Sequence, residues 1–204
     1  MMVDERIYEM CREIGRDLYA ADMVSSHGGN ISIRLGDRII IKRRGAMLGN
    51  LKPHDLIETG LEKNDSGVAL ASTELIVHRQ IYKQTPALAI CHCHPRTAIA
   101  LSLSREEIVP IDNEGSYLLK KVPIIWEEFA SGTPEMANKL ASALQNYKIV
   151  MLRGHGSFAT GQTLDEAFFW SSTLEEGCQI ILAAKAINEP FLEYRKMSDS
   201  YTKW

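Results

Sequence analysis

The spacing of apolar residues along the chain predicts an alternation of helices and strands. One face of a helix predicted at residues 4–23 carries apolar side chains three or four positions apart, at Ile7, Met10, Ile14 and Leu18. Apolar and polar residues alternate over 30–35, which is typical of a half-buried strand. Gly36 and Asp37 then predict a hairpin turn into a second strand at 38–42.

The rest of the chain continues this alternation without a regular repeat. Apolar runs bounded by turn residues predict further strands at 56–59, 87–93, 122–125, 149–152 and 157–160. Capping residues and helical periodicity predict helices at 72–82, from 97, from 133 and at 163–187. Because strands and helices interleave irregularly and one hairpin is clear, we expect an α/β fold in which a mixed sheet carries helices on both faces.

Composition narrows the class of protein. The 204 residues carry a net charge of −3, which argues against a nucleic-acid-binding protein held by a broad basic surface. No apolar run reaches the roughly 18 residues that a membrane span needs, and no secretory signal is visible at the N-terminus. Four cysteines are too few for a disulfide scaffold. We therefore expect one domain over residues 1–204, cytoplasmic, with no nucleic-acid or membrane partner.

The segment Cys91-His92-Cys93-His94 at the end of a predicted strand carries the strongest chemical signal. Side chains alternate faces along a strand, so His92 and His94 share one face, with Cα atoms roughly 6.5–7 Å apart. Two imidazoles at that spacing can converge on one metal ion. The alternative is a pair of core or surface histidines. We expect the two cysteines to be small buried groups on the opposite face of the sheet.

A third imidazole is available in Gly154-His155-Gly156, where small neighbours let the backbone approach a ligand closely. Three neutral histidine ligands with an open position form a catalytic zinc arrangement. Spacing alone does not establish that His155 meets His92 and His94.

Two interpretations apply to Ala71-Ser72-Thr73-Glu74, which opens a predicted helix. Ser72 and Thr73 are candidate N-caps, and Glu74 in the first turn suits the helix dipole. Alternatively, the hydroxyls and exposed N–H groups bind an anion such as phosphate, and Glu74 is a general base beside a metal. Glu74 and His78 stand four residues apart, either as a simple helical pair or as a ligand pair.

Two glycine-containing segments complete the candidate chemistry. Backbone N–H groups and positive charge for binding an anion are supplied by the Gly28-Gly29-Asn30 turn and the basic loop from Lys42 to Gly45. The alternative is that the basic loop is simply solvated, as most such loops are. His27 and His54 lie in polar turns, and we assign them no role.

Read together and in this order, five segments resemble the class II aldolase/adducin family. They are Gly28-Gly29-Asn30-Ile31-Ser32, the Gly45 loop, Ser72-Thr73-Glu74, His92-Cys93-His94 and Gly154-His155-Gly156. The resemblance covers residues 4–190. It implies a central, mainly antiparallel sheet flanked by helices and a homotetramer with active sites at subunit interfaces. It also implies cleavage of a phosphorylated sugar, a ketose 1-phosphate of the fuculose type, to dihydroxyacetone phosphate and an aldehyde.

The resemblance also implies a role for each matching residue. One Zn²⁺ per chain would be held by His92, His94 and His155, and Glu74 would act as acid and base. The substrate phosphate would bind at the following positions, of which Arg44 replaces a threonine of the aldolases: Asn30, Arg44, Gly45, Ser72 and Thr73.

Two further residues are aligned less directly. Glu114 stands where the aldolases carry a catalytic tyrosine, and Tyr201 matches a tyrosine of the C-terminal tail that closes the neighbouring site. Because related dehydratases of methylthioribulose 1-phosphate have a glutamate at the position of Glu114 and pentulose-phosphate 4-epimerases an aspartate, these two reactions remain alternatives. A non-catalytic interaction domain like that of adducin is a third alternative, which retention of the histidines and Glu74 disfavours.

Overall fold

The computed structural model describes residues 3–127 and 132–190. Within these residues, eight strands form one sheet: β1 (Asn30–Leu35), β2 (Arg38–Lys42), β3 (Leu56–Gly60), β4 (Ala89–Cys93), β5 (Glu107–Ile108), β6 (Val122–Ile125), β7 (Ile149–Leu152) and β8 (Gly156–Gly161). The helices of the same residues are α1 (Glu5–Ala20), α2 (Leu75–Gln84), α3 (Arg96–Ser102), α4 (Asn113–Leu118), α5 (Pro134–Ala143) and α6 (Leu164–Ile187).

The strands follow the order β3-β2-β1-β4-β8-β7-β6-β5 across the sheet. All neighbouring pairs are antiparallel except β6 and β7, which are parallel and are connected through α5. The α/β class and the mainly antiparallel sheet expected from the sequence are therefore confirmed. Strand β4 lies in the interior of the sheet between β1 and β8. The residues at its C-terminal end therefore have a neighbouring strand on each side.

Two hydrophobic clusters lie on opposite faces of the sheet. One face packs against α1, α3 and α6, and its cluster includes Cys91 and Cys93 from β4. The other face packs against α2 and α5, and its cluster includes Ile90 from β4 and Phe158 from β8. Both cysteines are free and fully buried on the face opposite His92, as expected from strand alternation.

Helix α2 begins later than predicted. Its first helical residue is Leu75, and Glu74 occupies the N-cap position that the sequence suggested for Ser72 or Thr73. The cause is a tertiary contact, because the Ser72 amide donates to the carbonyl of Lys42 at 3.0 Å and holds this residue against the end of β2. Two short elements, β5 and α4, were not predicted from the sequence.

No helix in residues 3–127 and 132–190 is long and apolar enough to cross a bilayer.

Candidate active site

The end of β4 delivers two histidines to one side of the sheet. His92 lies opposite Asn30 on β1 and Phe158 on β8, and its ring stacks on Phe158 with centroids 4.1 Å apart. His94 follows where the strand ends, and its Nε2 atom lies 3.1 Å from Nε2 of His92. The expected convergence of the two imidazoles is therefore present.

A main-chain carbonyl determines the proton position on His92. The Nδ1 atom of His92 lies 2.9 Å from the carbonyl oxygen of Ser157. Since a carbonyl oxygen can only accept, Nδ1 carries the hydrogen and Nε2 presents its lone pair to the site. In metal sites a ligating histidine usually donates its other ring N–H to an oxygen in this way, and that hydrogen bond fixes the orientation of the ring.

The turn between β7 and β8 brings His155 to the same point. One ring nitrogen from each of His92, His94 and His155 lies within 4.8 Å of the other two. The ring centroid of His155 is 5.0 Å from that of His92 and 5.2 Å from that of His94. The structure thus brings together the three histidines that spacing alone could not join.

Glycine at position 156 makes this approach possible. A Cβ atom there would lie 2.4 Å from the carbonyl oxygen of Cys93, 2.8 Å from Cδ2 of His94 and 3.0 Å from Cε1 of His92. Any side chain would therefore displace β4 or the two rings. Gly29 is constrained in the same way, with a φ of +67° and a virtual Cβ 2.8 Å from the carbonyl oxygen of His92.

Burial and the neighbouring rings keep His92 and His94 neutral. Burial, followed by the nearby His94 and His155, lowers the pKa of His92 well below its usual value. Burial and then His155 also lower the pKa of His94. Neutral imidazole is the form that binds metal ions.

Glu74 adds a carboxylate to the histidines. Its Oε2 atom accepts a hydrogen bond from Nδ2 of Asn30 at 2.7 Å and lies 3.1 Å from Nε2 of His92. Its Oε1 atom lies 3.8 Å from Nε2 of His155 and is buried without a hydrogen-bond partner among the described residues. The carboxylate therefore faces the histidine cluster. Its Oε2 atom is held by the hydrogen bond from Asn30, whereas Oε1 has no hydrogen-bond donor among the described residues.

These residues fit a divalent cation with nitrogen ligands. The lone pair of His92 Nε2 faces a carboxylate oxygen at 3.1 Å, so two acceptors stand at hydrogen-bond distance with no proton between them. A positive charge between such groups removes their repulsion. Three imidazoles with an adjoining open pocket match the donor set of catalytic metal sites.

A pocket of about 200 Å³ opens above the cluster. Its walls contain every residue that was predicted for phosphate binding: Asn30, Arg44, Gly45, Ser72 and Thr73. Ser72 is buried, whereas Thr73, Arg44 and Gly45 are exposed at the rim. The residues that were predicted to bind the metal and those predicted to bind the phosphate therefore line one cleft.

Two lining residues do not belong to the set of predicted site residues. His27 lines the pocket although no role was assigned to it. Lys42 also lines it, and its Nζ donates to the carbonyls of His27 at 3.0 Å and Ala46 at 2.8 Å. Burial lowers the pKa of Lys42 to about 8, so its ammonium group is a desolvated positive charge inside the pocket. In the sequence, the position of Lys42 at the end of an apolar strand was the signal that could have indicated its burial.

One predicted catalytic residue, Glu114, is not brought into this pocket by its own chain. Glu114 is exposed in the first turn of α4 and is not among the residues that line the pocket of its own chain. Tyr201 lies outside the described residues, so its role stays a prediction.

Comparisons with known proteins show which family carries this fold. The model of the class II aldolase and adducin N-terminal domain matches residues 9–182. L-fuculose phosphate aldolase of Methanocaldococcus jannaschii is 30% identical over 171 residues, which cover 83% of this chain and 92% of the relative. The 3-oxo-tetronate 4-phosphate decarboxylase of Haemophilus influenzae is 27% identical and covers 97% of both chains. The crystal structure of L-fuculose-1-phosphate aldolase from Thermus thermophilus is 38% identical, with a TM-score of 0.87 over 93% of this chain and 100% of that one.

Proposed function

Since the chain belongs to the class II aldolase and adducin N-terminal domain family, we propose that it is a zinc-dependent lyase that cleaves a ketose 1-phosphate to dihydroxyacetone phosphate and an aldehyde. The observation that carries the proposal is the convergence of three imidazoles and a buried carboxylate beneath a cationic pocket. The names of the fuculose phosphate aldolases among its relatives support a substrate of the fuculose type.

His92, His94 and His155 would hold the zinc ion. When bound, zinc supplies a Lewis acid that stabilises negative charge developing on the oxygens beside the cleaved bond. The hydrogen bond from His92 Nδ1 to the Ser157 carbonyl orients this ring and keeps Nε2 free to act as a ligand.

Glu74 would transfer the proton. Asn30 holds Oε2 of this carboxylate, while Oε1 points to the side of His155 without a hydrogen-bond donor among the described residues. A buried carboxylate with one unengaged oxygen can remove a proton from a substrate carbon and return it in the reverse direction.

The phosphate group would bind at the positively charged end of the pocket. Arg44 and the buried ammonium of Lys42 supply charge, while Ser72, Thr73 and the main chain at Gly45 supply hydrogen-bond donors. Fixing the phosphate at one end places the reacting carbons near Glu74 before the chemical step.

We place this chemistry in a cytoplasmic homotetramer. Large apolar side chains remain exposed on the single chain, for example Leu103, Trp126 and Ile187, and subunit contacts would cover such side chains. In such an assembly Glu114 and Tyr201 would act on a neighbouring subunit's site, where Glu114 would take the place of a catalytic tyrosine. Light scattering of the purified protein tests the assembly.

A panel of phosphorylated sugars tests the reaction. Zinc-loaded protein is offered fuculose 1-phosphate, ribulose 5-phosphate, methylthioribulose 1-phosphate and 3-oxo-tetronate 4-phosphate. Formation of dihydroxyacetone phosphate from fuculose 1-phosphate, without epimerisation, dehydration or decarboxylation of the other three compounds, supports the proposal. Dehydration of methylthioribulose 1-phosphate, or decarboxylation of 3-oxo-tetronate 4-phosphate, without aldol cleavage of the first compound would overturn it.

A further inference from the structure

A ladder of polar contacts joins strand β1 to helix α2 beside the pocket. Alternate residues of β1 point to this helix and contact residues of its successive turns. The participants from β1 are Asn30, Ser32 and Arg34, and those from the helix and its N-cap are Glu74, His78 and Tyr82. Only the Asn30–Glu74 contact belongs to the chemistry proposed above.

The contacts are short and follow one another along the helix. Ser32 Oγ lies 2.6 Å from Nδ1 of His78 and 2.8 Å from the hydroxyl of Tyr82. Arg34 Nη1 donates to the main-chain oxygen of Tyr82 at 2.9 Å. Together with the 2.7 Å bond from Asn30 to Glu74, they tie three positions of the strand to three successive turns of the helix.

The rise per residue of a strand and that of a helix explain why successive contacts of the ladder can form. Two residues of a strand rise about 6.6–6.8 Å. Four residues of a helix rise about 6.0 Å, so contacts at every second strand residue meet contacts at every fourth helix residue. A shift of the helix by one residue moves it about 1.5 Å along its axis and breaks the Ser32–His78 bond.

The middle of the ladder lies in an apolar environment. Ser32, His78 and Tyr82 are each at most 1% exposed, and their neighbours include the hydrophobic cluster between α2 and the sheet. Burial lowers the pKa of His78 to about 3 and raises the pKa of Tyr82, so both side chains are neutral. Apolar packing is not directional, whereas these buried hydrogen bonds permit one alignment of helix and strand.

We propose that Ser32, His78 and Tyr82 are positioning residues that hold α2 in register with β1 and thereby hold the Glu74 carboxylate at the histidine cluster. The inference rests on the proposed role of Glu74 in proton transfer. Glu74 is the N-cap of α2, so a shift of the helix along β1 would move its main chain relative to Asn30 and the histidine cluster.

Four variants separate positioning from general stability. Ser32→Ala removes the central hydroxyl, and His78→Phe keeps an aromatic ring but removes Nδ1. His78→Asn restores a polar atom near the position of Nδ1. Thr85→Val is the matched control, because Thr85 is a buried residue at the other end of α2 whose hydroxyl donates to the carbonyl of Ile81 in the same helix.

The first readout is the exchange of a hydroxymethyl proton of dihydroxyacetone phosphate with solvent deuterium by zinc-loaded protein. A displacement of about 1 Å can cost about 100-fold in rate. We expect Ser32→Ala and His78→Phe to lower the exchange rate at saturation by about 10- to 100-fold on that basis. We expect the KM to stay within about twofold and the zinc content to stay unchanged, because neither variant touches the zinc ligands or the phosphate pocket. His78→Asn should recover most of the rate, and Thr85→Val should keep it.

The second readout does not depend on the proposed function. The amides of Val77 and His78 donate to the carbonyl of Glu74, so their hydrogen exchange reports on the first turn of α2. We expect exchange at these amides to be at least about tenfold faster in Ser32→Ala and His78→Phe than in Thr85→Val, in line with one lost buried hydrogen bond.

The outcomes distinguish the two proposals. If the wild-type protein exchanges no substrate proton, the proposed role of Glu74 fails, while the amide measurement still reports on the ladder. If Ser32→Ala and His78→Phe show wild-type proton exchange and wild-type amide exchange, the ladder does not position Glu74. An equal loss of rate in Thr85→Val would show a general effect of stability and would also overturn the inference.

Discussion

Alanine in place of Gly156 should damage the histidine cluster directly. The added Cβ would lie 2.4 Å from the carbonyl oxygen of Cys93 and 2.8 Å from Cδ2 of His94. Carbon atoms in contact normally lie about 3.5–4.0 Å apart, so the His94 ring would have to move by about 0.7 Å or more. The carbonyl of Cys93 cannot easily give way, because Cys93 pairs with Ser157 in the interior of the sheet.

The magnitude follows from these contacts. Forcing a methyl group into a packed site typically costs about 1–3 kcal/mol of stability. Disturbing the groups that orient metal ligands typically costs about 10- to 100-fold in metal affinity. We therefore expect Gly156→Ala to lose about 1–3 kcal/mol of unfolding free energy without metal, and to bind zinc about 10- to 100-fold more weakly.

Urea unfolding of the metal-free protein measures the first quantity, and competition with a chromophoric chelator measures the second. Gly36→Ala is the matched control, because Gly36 has a φ of +60° and no neighbour within 4 Å of a virtual Cβ. This control should cost about 1–2 kcal/mol through its left-handed backbone and leave zinc affinity unchanged. Wild-type zinc affinity in Gly156→Ala would refute the packing argument.

Two further predictions concern the metal and the phosphate. Elemental analysis of protein purified without added metal should show one zinc per chain. The variants His92→Ala and His155→Ala should lose most of this zinc. Full zinc occupancy in both variants would mean that the predicted ligand set is wrong. The pKa of Lys42 is lowered to about 8 by burial, so its ammonium charge is present below pH 8 and is lost above it. The KM for a phosphorylated ketose should therefore rise as pH passes about 8, and Lys42→Met should raise the KM at lower pH and abolish the inflection. An inflection that persists in Lys42→Met would belong to another group.

Patterns of apolar residues predicted most of the sheet. The strands at 30–35, 38–42, 122–125 and 149–152 have the predicted bounds, because each is a short apolar or alternating run bounded by turn residues. The long C-terminal helix also ends where predicted. The start of α2 was wrong, since a hydrogen bond between Ser72 and the distant Lys42 overrides the local capping preference. Such long-range contacts leave no periodic signal in the sequence.

The candidate site could be predicted in part. Strand alternation alone places His92 and His94 on one face, but only the pairing of β4 with β8 brings His155 to them. Lys42 looked like part of a solvated basic loop, whereas its side chain is buried against two main-chain carbonyls. The ladder from Ser32 to His78 could not be predicted, because it depends on how a helix lies across a strand 46 residues away.

The most direct test of the account is proton exchange at dihydroxyacetone phosphate, compared between zinc-loaded wild-type protein and Glu74→Gln. Glutamine keeps the shape of the side chain and can still accept the hydrogen bond from Asn30, but it cannot act as a base. We expect the wild-type protein to exchange a hydroxymethyl proton with solvent deuterium, and the variant to do so about 10²–10⁴-fold more slowly at unchanged zinc content. A Glu74→Gln protein that holds zinc and exchanges the proton at the wild-type rate would contradict the central claim.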